Sequence, residues 1–285
     1  MTPKLAWLAV AVVAVGCSDV PERAELISSD PKSDLQTLSA ARVYFGHQSV
    51  GNDVLKGLEE LATAEGVRLR IVEAPSGVED DLPGIVHARV GRNREPQTKC
   101  DAFGQFLTRQ VDRKWDAAVL KFCYADLGDG GESDPARVIE SYKRTVASIR
   151  TARPNLVIVH ATAPLLSDGL GKRDAIKKWL GLGTSNDSGN LIRNQFNDLI
   201  RKEYGHEEMF DVARMESTRP DGTRTGFKKD GRFIFSMAPE FTYDEGHLTP
   251  TGRRWVAREF ARSLATALRE RAQVARAQDE APPVR

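Results

Sequence analysis

The sequence predicts a three-layer α/β/α protein, in which a doubly wound sheet of about five parallel strands lies between two layers of helices. Short apolar runs with the composition of buried strands alternate along the chain with segments whose apolar residues recur every three or four positions. Helical segments of a dozen or more residues separate the strands, and parallel neighbours need connections of that length. With 285 residues, of which 40% are hydrophobic, the chain suits one large globular domain.

Each predicted element has a local signal. The strand-like runs are 41–45, 67–73, 116–123, 155–161 and 209–213. The helical patterns are 50–65, 101–113, 134–152, 187–203 and 251–272. The last helix has a clear start, because Thr249 suits the N-cap and Pro250 suits the first helical position. Two long segments, 74–100 and 214–247, have no plain periodicity, and long loops in compact α/β domains often carry function.

Charge and motif content argue against several classes of function. The net charge is +1 and no long block of like charge occurs, so nothing in the composition favours nucleic-acid binding. The five histidines are scattered, with no His-x-x-x-His or Cys-x-x-Cys pair, and the sequence predicts no metal site. No glycine-rich phosphate loop matches either, so no cofactor is expected.

The N-terminus has the form of an export signal. Residues 1–16 contain one lysine and an apolar run from Leu5 to Val15 that is too short to cross a bilayer comfortably. Cys17 follows small residues and resembles the lipidated cysteine of a bacterial lipobox. A plain secretory signal with a chance cysteine is the alternative. Because Ser18, and not aspartate, follows Cys17, the resemblance implies an exported protein, lipid-anchored in the cell envelope, at the outer membrane facing the periplasm.

The rest of the chain divides into a tether, a domain and a tail. Residues 17–36 are polar with two prolines and read as a tether, 37–270 as the folded domain, and 271–285 as a flexible tail. Export permits a disulfide between the two remaining cysteines, Cys100 and Cys123. Cys123 ends an apolar run, which favours a buried thiol instead.

A serine, a histidine and an aspartate are expected at one edge of the sheet, because ligands bind beyond the carboxyl ends of parallel strands. Ser49 follows the first strand and opens a helix, so its own N–H would point toward a developing oxyanion. A serine hydroxyl needs a base, and that base needs an acid partner to fix its tautomer. His247 and Asp244 lie three residues apart on one late loop and suit those two roles.

This combination resembles the SGNH, or GDSL-type, hydrolases over most of residues 40 to 268. In that family the nucleophilic serine follows a glycine after the first strand, and an Asp-x-x-His motif precedes the last helix. Residues 241–252, FTYDEGHLTPTG, are similar to that late motif, including the leucine after the histidine. The resemblance implies a flavodoxin-like fold, a Ser49-His247-Asp244 triad, an acyl-enzyme intermediate and no cofactor.

The sequence departs from the family pattern in two blocks. The Gly-Asp-Ser block is replaced by residues 46–49, GHQS, and Ala125 stands where the third block supplies an oxyanion asparagine. Gly91 and Asn93 are the candidate substitutes, a glycine for close backbone approach and an amide that can donate two hydrogen bonds. Losing one oxyanion donor costs about a hundredfold or more in rate, so a substitute matters.

Three further polar residues near the strand ends have open roles. His47 is expected to orient the loop, contact substrate or pack beneath the turn, with a structural role favoured. Gln48 is expected to donate a hydrogen bond to substrate or to be solvated. Lys121 is unusual in an apolar strand, and either pairing with a carboxylate such as Asp126 or contact with substrate would explain it.

The predicted function is an esterase that hydrolyses an O-acyl ester on carbohydrate or cell-envelope material. The expected partners are the acyl-ester substrate, a glycan or polysaccharide among them, and a membrane through the lipid anchor only. Two alternatives stay open. One is a non-catalytic, glycan-binding envelope lipoprotein on the same fold, and the other is an O-acyltransferase that uses the same triad.

Overall fold

The computed structural model describes residues 29–74, 81–168 and 186–279, which form a parallel sheet with helices on both faces. The strands of the sheet are β1 (Arg42–His47), β2 (Ile71–Glu73), β3 (Gly84–Arg89), β4 (Ala117–Leu120), β5 (Val157–Ala161) and β6 (Met209–Phe210). The helices are α1 (Pro31–Ala40), α2 (Ser49–Ala64), α3 (Pro96–Arg109), α4 (Pro135–Ala152), α5 (Asp187–Tyr204), α6 (Val212–Ser217) and α7 (Pro250–Asp279).

The six strands run in the order β2-β3-β1-β4-β5-β6, and every pair is parallel. β1 lies inside the sheet, with Phe45 opposite His87 of β3 and opposite Val119 of β4. The chain therefore winds outward in both directions from β1, which confirms the predicted doubly wound α/β architecture. The place beyond the carboxyl end of β1 is the crevice where such sheets bind ligands.

One of the two neighbours of β1, the strand β3, is not among the strands that the sequence predicts. The predicted run 67–73 contributes only Ile71–Glu73, at the edge of the sheet. β3 takes the inner position instead, inside the segment 74–100 that has no plain periodicity. Its first three residues are buried, but the second half, which contains His87 and Arg89, emerges toward solvent and interrupts the apolar run.

Alternate strand residues point into two separate cores. Phe45 and Val119 face a layer formed by α1, α2 and α7, whereas Tyr44 and Leu120 face α3, α4 and α5. This alternation follows from the two-residue period of a strand. Both faces of the sheet are thus covered, as expected for parallel strands with near-continuous apolar sequence.

Helices continue beyond the predicted domain boundaries at both ends. Residues 31–36, predicted as part of the tether, lie in α1, which Asp30 caps by accepting from the Lys32 amide at 3.1 Å. Leu35 and Leu38 are fully buried, so α1 belongs to the core. At the other end, α7 continues through residues 271–279 of the predicted tail, and most of residues 271–278 are exposed. The signal segment 1–16 and Cys17 lie outside the described residues.

Two further features complete the fold. An antiparallel hairpin, β7 (Gly226–Lys229) with β8 (Arg232–Phe235), occupies part of the segment 214–247. Cys100 and Cys123 are buried free thiols and form no disulfide, and burial raises the pKa of Cys100 to about 12. Within the residues described, no helix is long and apolar enough to cross a membrane.

Candidate active site

The turn from β1 into α2 presents Ser49 at the carboxyl edge of the sheet. β1 ends at His47, Gln48 is extended (φ −132°, ψ −159°), and Ser49 is the first residue of α2. The first amides of a helix have no partner within the helix, so the Ser49 amide at the start of α2 suits a developing negative charge. The Ser49 Oγ lies 2.9 Å from the His247 Nε2.

Asp244 holds His247 in the tautomer that a base requires. The Asp244 Oδ2 lies 2.6 Å from the His247 Nδ1. A carboxylate only accepts, so Nδ1 carries the hydrogen, and the lone pair of Nε2 faces the Ser49 hydroxyl. The Asp244 Oδ1 also accepts from the amides of His247, at 2.7 Å, and Gly246, at 3.1 Å. The structure brings Ser49, His247 and Asp244 together, and their roles in catalysis stay a prediction.

Contacts outside these three residues position the loop that carries the histidine. Gly246 packs so closely on Tyr124 that a Cβ atom there would lie 2.8 Å from the tyrosine ring. The Leu248 amide donates to the Asp53 Oδ2 at 3.1 Å. Asp53 was missed by sequence reasoning, although its spacing of four residues from Ser49 on α2 places both side chains on one helix face.

His47 lies beneath the serine turn. It is fully buried, and its Nδ1 lies 2.7 Å from the Gln48 carbonyl oxygen, so Nδ1 carries the hydrogen. Its Nε2 then accepts from the His87 Nδ1 at 3.0 Å. A Cβ atom on Gly51 would lie 2.3 Å from the His47 ring, so the ring fills the space under the first turn of α2. This geometry fits a structural role.

Gln48 joins the serine turn to the loop that follows β3. Its Nε2 donates to the carbonyl oxygens of Val90, at 2.8 Å, and Gly91, at 3.1 Å. These bonds use both amide hydrogens, so the Gln48 amide group holds the protein backbone and donates no hydrogen bond to a substrate. The predicted solvated or substrate-donating role is therefore replaced by one in loop positioning.

Gly91 and Asn93 lie on this same loop. Gly91 has φ +61°, and a Cβ atom there would lie 2.5 Å from the Lys99 backbone nitrogen, so only glycine fits without rearrangement. The Asn93 Oδ1 accepts from the Lys99 Nζ at 3.0 Å. An ammonium only donates, which identifies the contacting atom as oxygen and leaves the Asn93 NH₂ group facing away from Lys99.

Asp126 pairs with a different lysine from the one considered in the sequence. Its Oδ2 accepts from the Lys99 Nζ at 2.6 Å, and both side chains are fully buried. Lys121 is also buried, but its Nζ donates to the Phe122 carbonyl at 3.0 Å. Burial lowers the pKa of Lys121. Nothing in the amphipathic pattern of α3 marks Lys99 as a buried residue, so the sequence did not predict this pair.

Two tyrosines flank the His247 imidazole. The Tyr124 ring meets it edge-on with centroids 6.0 Å apart, and the Tyr243 ring stacks on it at 6.2 Å. Tyr243 is 65% exposed and presents an aromatic surface to solvent beside the Ser49–His247 contact. In the described part of the chain, no group of three or more His, Cys, Asp or Glu side chains has the arrangement of a metal site.

No protein-family model matches the sequence, and neither does any curated protein. Solved structures with a similar arrangement include the periplasmic domain of a lipopolysaccharide acetyltransferase from Salmonella ser. Paratyphi A, at 14% identity and a TM-score of 0.48, over 80% of this chain and 84% of that one. A carbohydrate esterase of family 3 from Talaromyces cellulolyticus has 12% identity and a TM-score of 0.44, over 81% and 99%. A lipase/acylhydrolase from Enterococcus faecalis has 10% identity and a TM-score of 0.47, over 79% and 96%.

Proposed function

We propose that this protein is an SGNH-type serine esterase that hydrolyses an O-acyl ester through Ser49, His247 and Asp244. The observation that carries the proposal is the chain of contacts from the Ser49 Oγ to the His247 Nε2, at 2.9 Å, and from Nδ1 to the Asp244 Oδ2, at 2.6 Å. Both distances are within hydrogen-bond reach, which a nucleophile, its base and the orienting acid require.

The reaction has two halves. As the Ser49 Oγ attacks the ester carbonyl carbon, the His247 Nε2 takes the hydroxyl proton, and Asp244 stabilises the imidazolium. His247 then gives that proton to the departing alcohol, which leaves an acyl group on Ser49. A water molecule, deprotonated by His247, attacks the acyl carbon, and the carboxylic acid leaves as Ser49 regains its proton.

The oxyanion formed in each half needs donors. The Ser49 amide at the start of α2 is one candidate, and the Gly91 amide and the Asn93 NH₂ group are the others. Support for Asn93 comes from its Oδ1, which Lys99 occupies, so that the amide hydrogens are available. In this proposal Asn93 replaces the asparagine of the family's third block, where this chain has Ala125.

For the substrate we propose O-acyl groups on carbohydrate or cell-envelope material. Exposed Tyr243 beside His247 supports this choice, because a flat aromatic surface next to the reacting group suits the apolar face of a sugar ring. We also propose that the protein is exported and lipid-anchored through Cys17, at the outer membrane facing the periplasm. Its partners would then be the ester substrate and a membrane that it contacts only through the anchor.

Two alternatives use the same fold. The altered serine block and Ala125 favour a glycan-binding lipoprotein without turnover, since they remove family residues from the site. An O-acyltransferase would share the first half-reaction and pass the acyl group to a second alcohol instead of water.

The decisive experiment treats the purified protein with a fluorophosphonate probe and locates the adduct by mass spectrometry. We expect an adduct on Ser49 that is lost in Ser49→Ala and greatly reduced in His247→Ala, because only an activated serine reacts. Ser263, a buried serine that donates to the Glu259 carbonyl at 2.8 Å, gives the control variant Ser263→Ala, which should label like the wild type.

The outcomes separate the three functions. Folded protein without an adduct would overturn the esterase and favour glycan binding. Where the adduct forms, the protein is then incubated with acetylated oligosaccharides, and the release of acetate is measured. Unacetylated sugars are added as acceptors, and the transfer of acetyl groups to them is measured. Acetate release that persists at the same rate when acceptors are present supports the esterase, whereas acylated acceptor without free acetate supports the transferase.

A further inference from the structure

The buried pair of Lys99 and Asp126 lies beside the proposed oxyanion loop, residues 91–94, and takes no part in the proton transfers. Lys99 is the fourth residue of α3, near the positive end of the helix, where a cation is unfavourable. Its side chain is fully buried, and so is that of Asp126. Burial and the position near the helix N-terminus both disfavour a charged lysine, so the contacts of Lys99 must offset both costs.

The side chains of the pair contact the loop that carries Asn93. The Lys99 Nζ donates to the Asp126 Oδ2 at 2.6 Å and to the Asn93 Oδ1 at 3.0 Å. Asp126 accepts two further hydrogen bonds, from the Arg94 amide to Oδ1 at 3.0 Å and from the Cys123 amide to Oδ2 at 2.7 Å. The carboxylate thus joins the turn after β4 to the loop after β3.

Side chains from two neighbouring segments hold the backbone of this loop. Gly91 and Arg94 both have positive φ, of 61° and 70°, and the latter value is uncommon for a residue with a side chain. The Arg94 amide is held by Asp126, and the Gly91 carbonyl is held by Gln48. A buried ion pair is weak evidence for stability, since an apolar pair of similar volume often serves as well, so the geometry that the pair sets is the role to test.

We propose that Lys99 and Asp126 are positioning residues that fix Asn93 with its NH₂ group toward the oxyanion, an inference that rests on the proposed esterase function. Lys99 selects the amide orientation, because only the oxygen of the Asn93 side chain can face an ammonium. Asp126 holds Lys99 and the Arg94 amide at the same time, so the loop and the side chain are set together. Neither residue touches the reacting atoms.

A double-mutant cycle tests whether Lys99 acts through Asn93. With p-nitrophenyl acetate as substrate, we expect Asn93→Ala to lower kcat by about 10²–10³-fold and Lys99→Met by about tenfold to a hundredfold, with KM changed by less than about threefold. In the Asn93→Ala background, adding Lys99→Met should lower kcat by no more than about threefold, since the group it positions is already gone.

Lys121→Met is the matched control, because Lys121 is also fully buried at this edge of the sheet, and its Nζ donates to the Phe122 carbonyl oxygen and not to Asn93. Lys121→Met should change kcat by the same factor in the wild type and in Asn93→Ala, whatever the size of that factor. Lys99→Met leaves Asp126 buried without its partner, so the variant Lys99→Met with Asp126→Asn, which removes both charges, keeps the test valid if the single variant does not fold.

Three results would count against the proposal. If folded Lys99→Met keeps kcat within about threefold of the wild type, or loses the same factor with and without Asn93, the pair does not position that amide. Either result, with Ser49 still labelled by fluorophosphonate, overturns this inference and leaves the esterase proposal standing. A wild-type protein with neither labelling nor hydrolysis overturns both.

Discussion

Three donors converge on the Asp244 carboxylate, and this side chain sets both the tautomer of His247 and the turn that carries it. Desolvation opposes ionisation of Asp244, but hydrogen bonds from the His247 amide, its imidazole and the Gly246 amide outweigh it, and the pKa of Asp244 lies below its usual value. The carboxylate therefore stays ionised at neutral pH and accepts from Nδ1, so that Nε2 faces Ser49 as an acceptor.

His47 gives a prediction on pH at the same scale. Burial, reinforced by the nearby charges of His87, Lys121 and Arg89, lowers the pKa of His47 to about 3, although its hydrogen bond to the Gln48 carbonyl acts in the opposite direction. An unfolded histidine has a pKa of about 6.5. Between these two pKa values, His47 is protonated in the unfolded chain but neutral in the folded protein. The free energy of unfolding therefore falls as pH falls.

We expect this effect to remove about 2 kcal/mol between pH 7.5 and pH 5, from about 1.4 kcal/mol per pH unit below the unfolded pKa. In His47→Asn, the free energy of unfolding lost between pH 7.5 and pH 5 should be about 2 kcal/mol smaller than in the wild type, whatever the stability of the variant at pH 7.5. Urea unfolding at the two pH values measures it. Gln36→Ala, at an exposed residue that does not titrate, is the control and should keep the wild-type loss. Equal losses in wild type and His47→Asn would contradict the prediction.

At the scale of the elements, the described structure departs from the sequence pattern where an element is half exposed or lies at a domain boundary. β3 is apolar only in its first half, because its second half delivers His87 and Arg89 to the carboxyl edge of the sheet. α1 is short and weakly amphipathic, and the prolines and polar residues around it resemble a linker. Its burial against α7 depends on a partner more than 200 residues later in the chain.

The contribution of α1 can be measured directly. Leu38 is fully buried between α1 and the core, and we expect Leu38→Ala to lower the free energy of unfolding by about 2–5 kcal/mol, the cost of lost burial plus a cavity. Gln36→Ala, on the exposed face of the same helix, should change it by less than about 0.5 kcal/mol. Urea unfolding compares the two. Similar small effects would mean that α1 behaves as the predicted tether.

At the scale of the whole molecule, parallel winding brings distant loops to one edge. The turn after β1 carries Ser49, the loop after β3 carries Asn93, the turn after β4 carries Asp126, and the loop before α7 carries His247. Each loop is tied to a neighbour, through the Gln48 bonds to the 90–91 backbone, the Lys99–Asp126 pair and the Leu248–Asp53 bond. The site is therefore a property of the sheet edge and of no single segment.

The proposed membrane anchor is also tested on the whole protein. In bacteria that produce the full-length chain, we expect the wild type to sediment with the membranes and to carry the added mass of acyl chains on Cys17, because attached acyl chains provide the buried CH₂ groups that hold a protein at a bilayer. Cys17→Ser should appear in the soluble fraction without that mass. A wild-type protein cleaved at another position, with Cys17 unmodified or removed, would indicate the plain secretory signal.

The sequence by itself determined the α/β alternation, the start of α7 at Thr249 and Pro250, and the three residues that meet at the sheet edge. Each of these features depends on residues that are close together in the sequence: the periodicity of an element, a helix cap, or the Asp-x-x-His spacing on one loop. Only the tertiary structure decided that β3 lies beside β1, that α1 is part of the core, and that Asp126 pairs with Lys99 and not with Lys121. The winding of the sheet determines which distant segments become neighbours. Those neighbours in turn determine the free energy of burying a charge or a short helix.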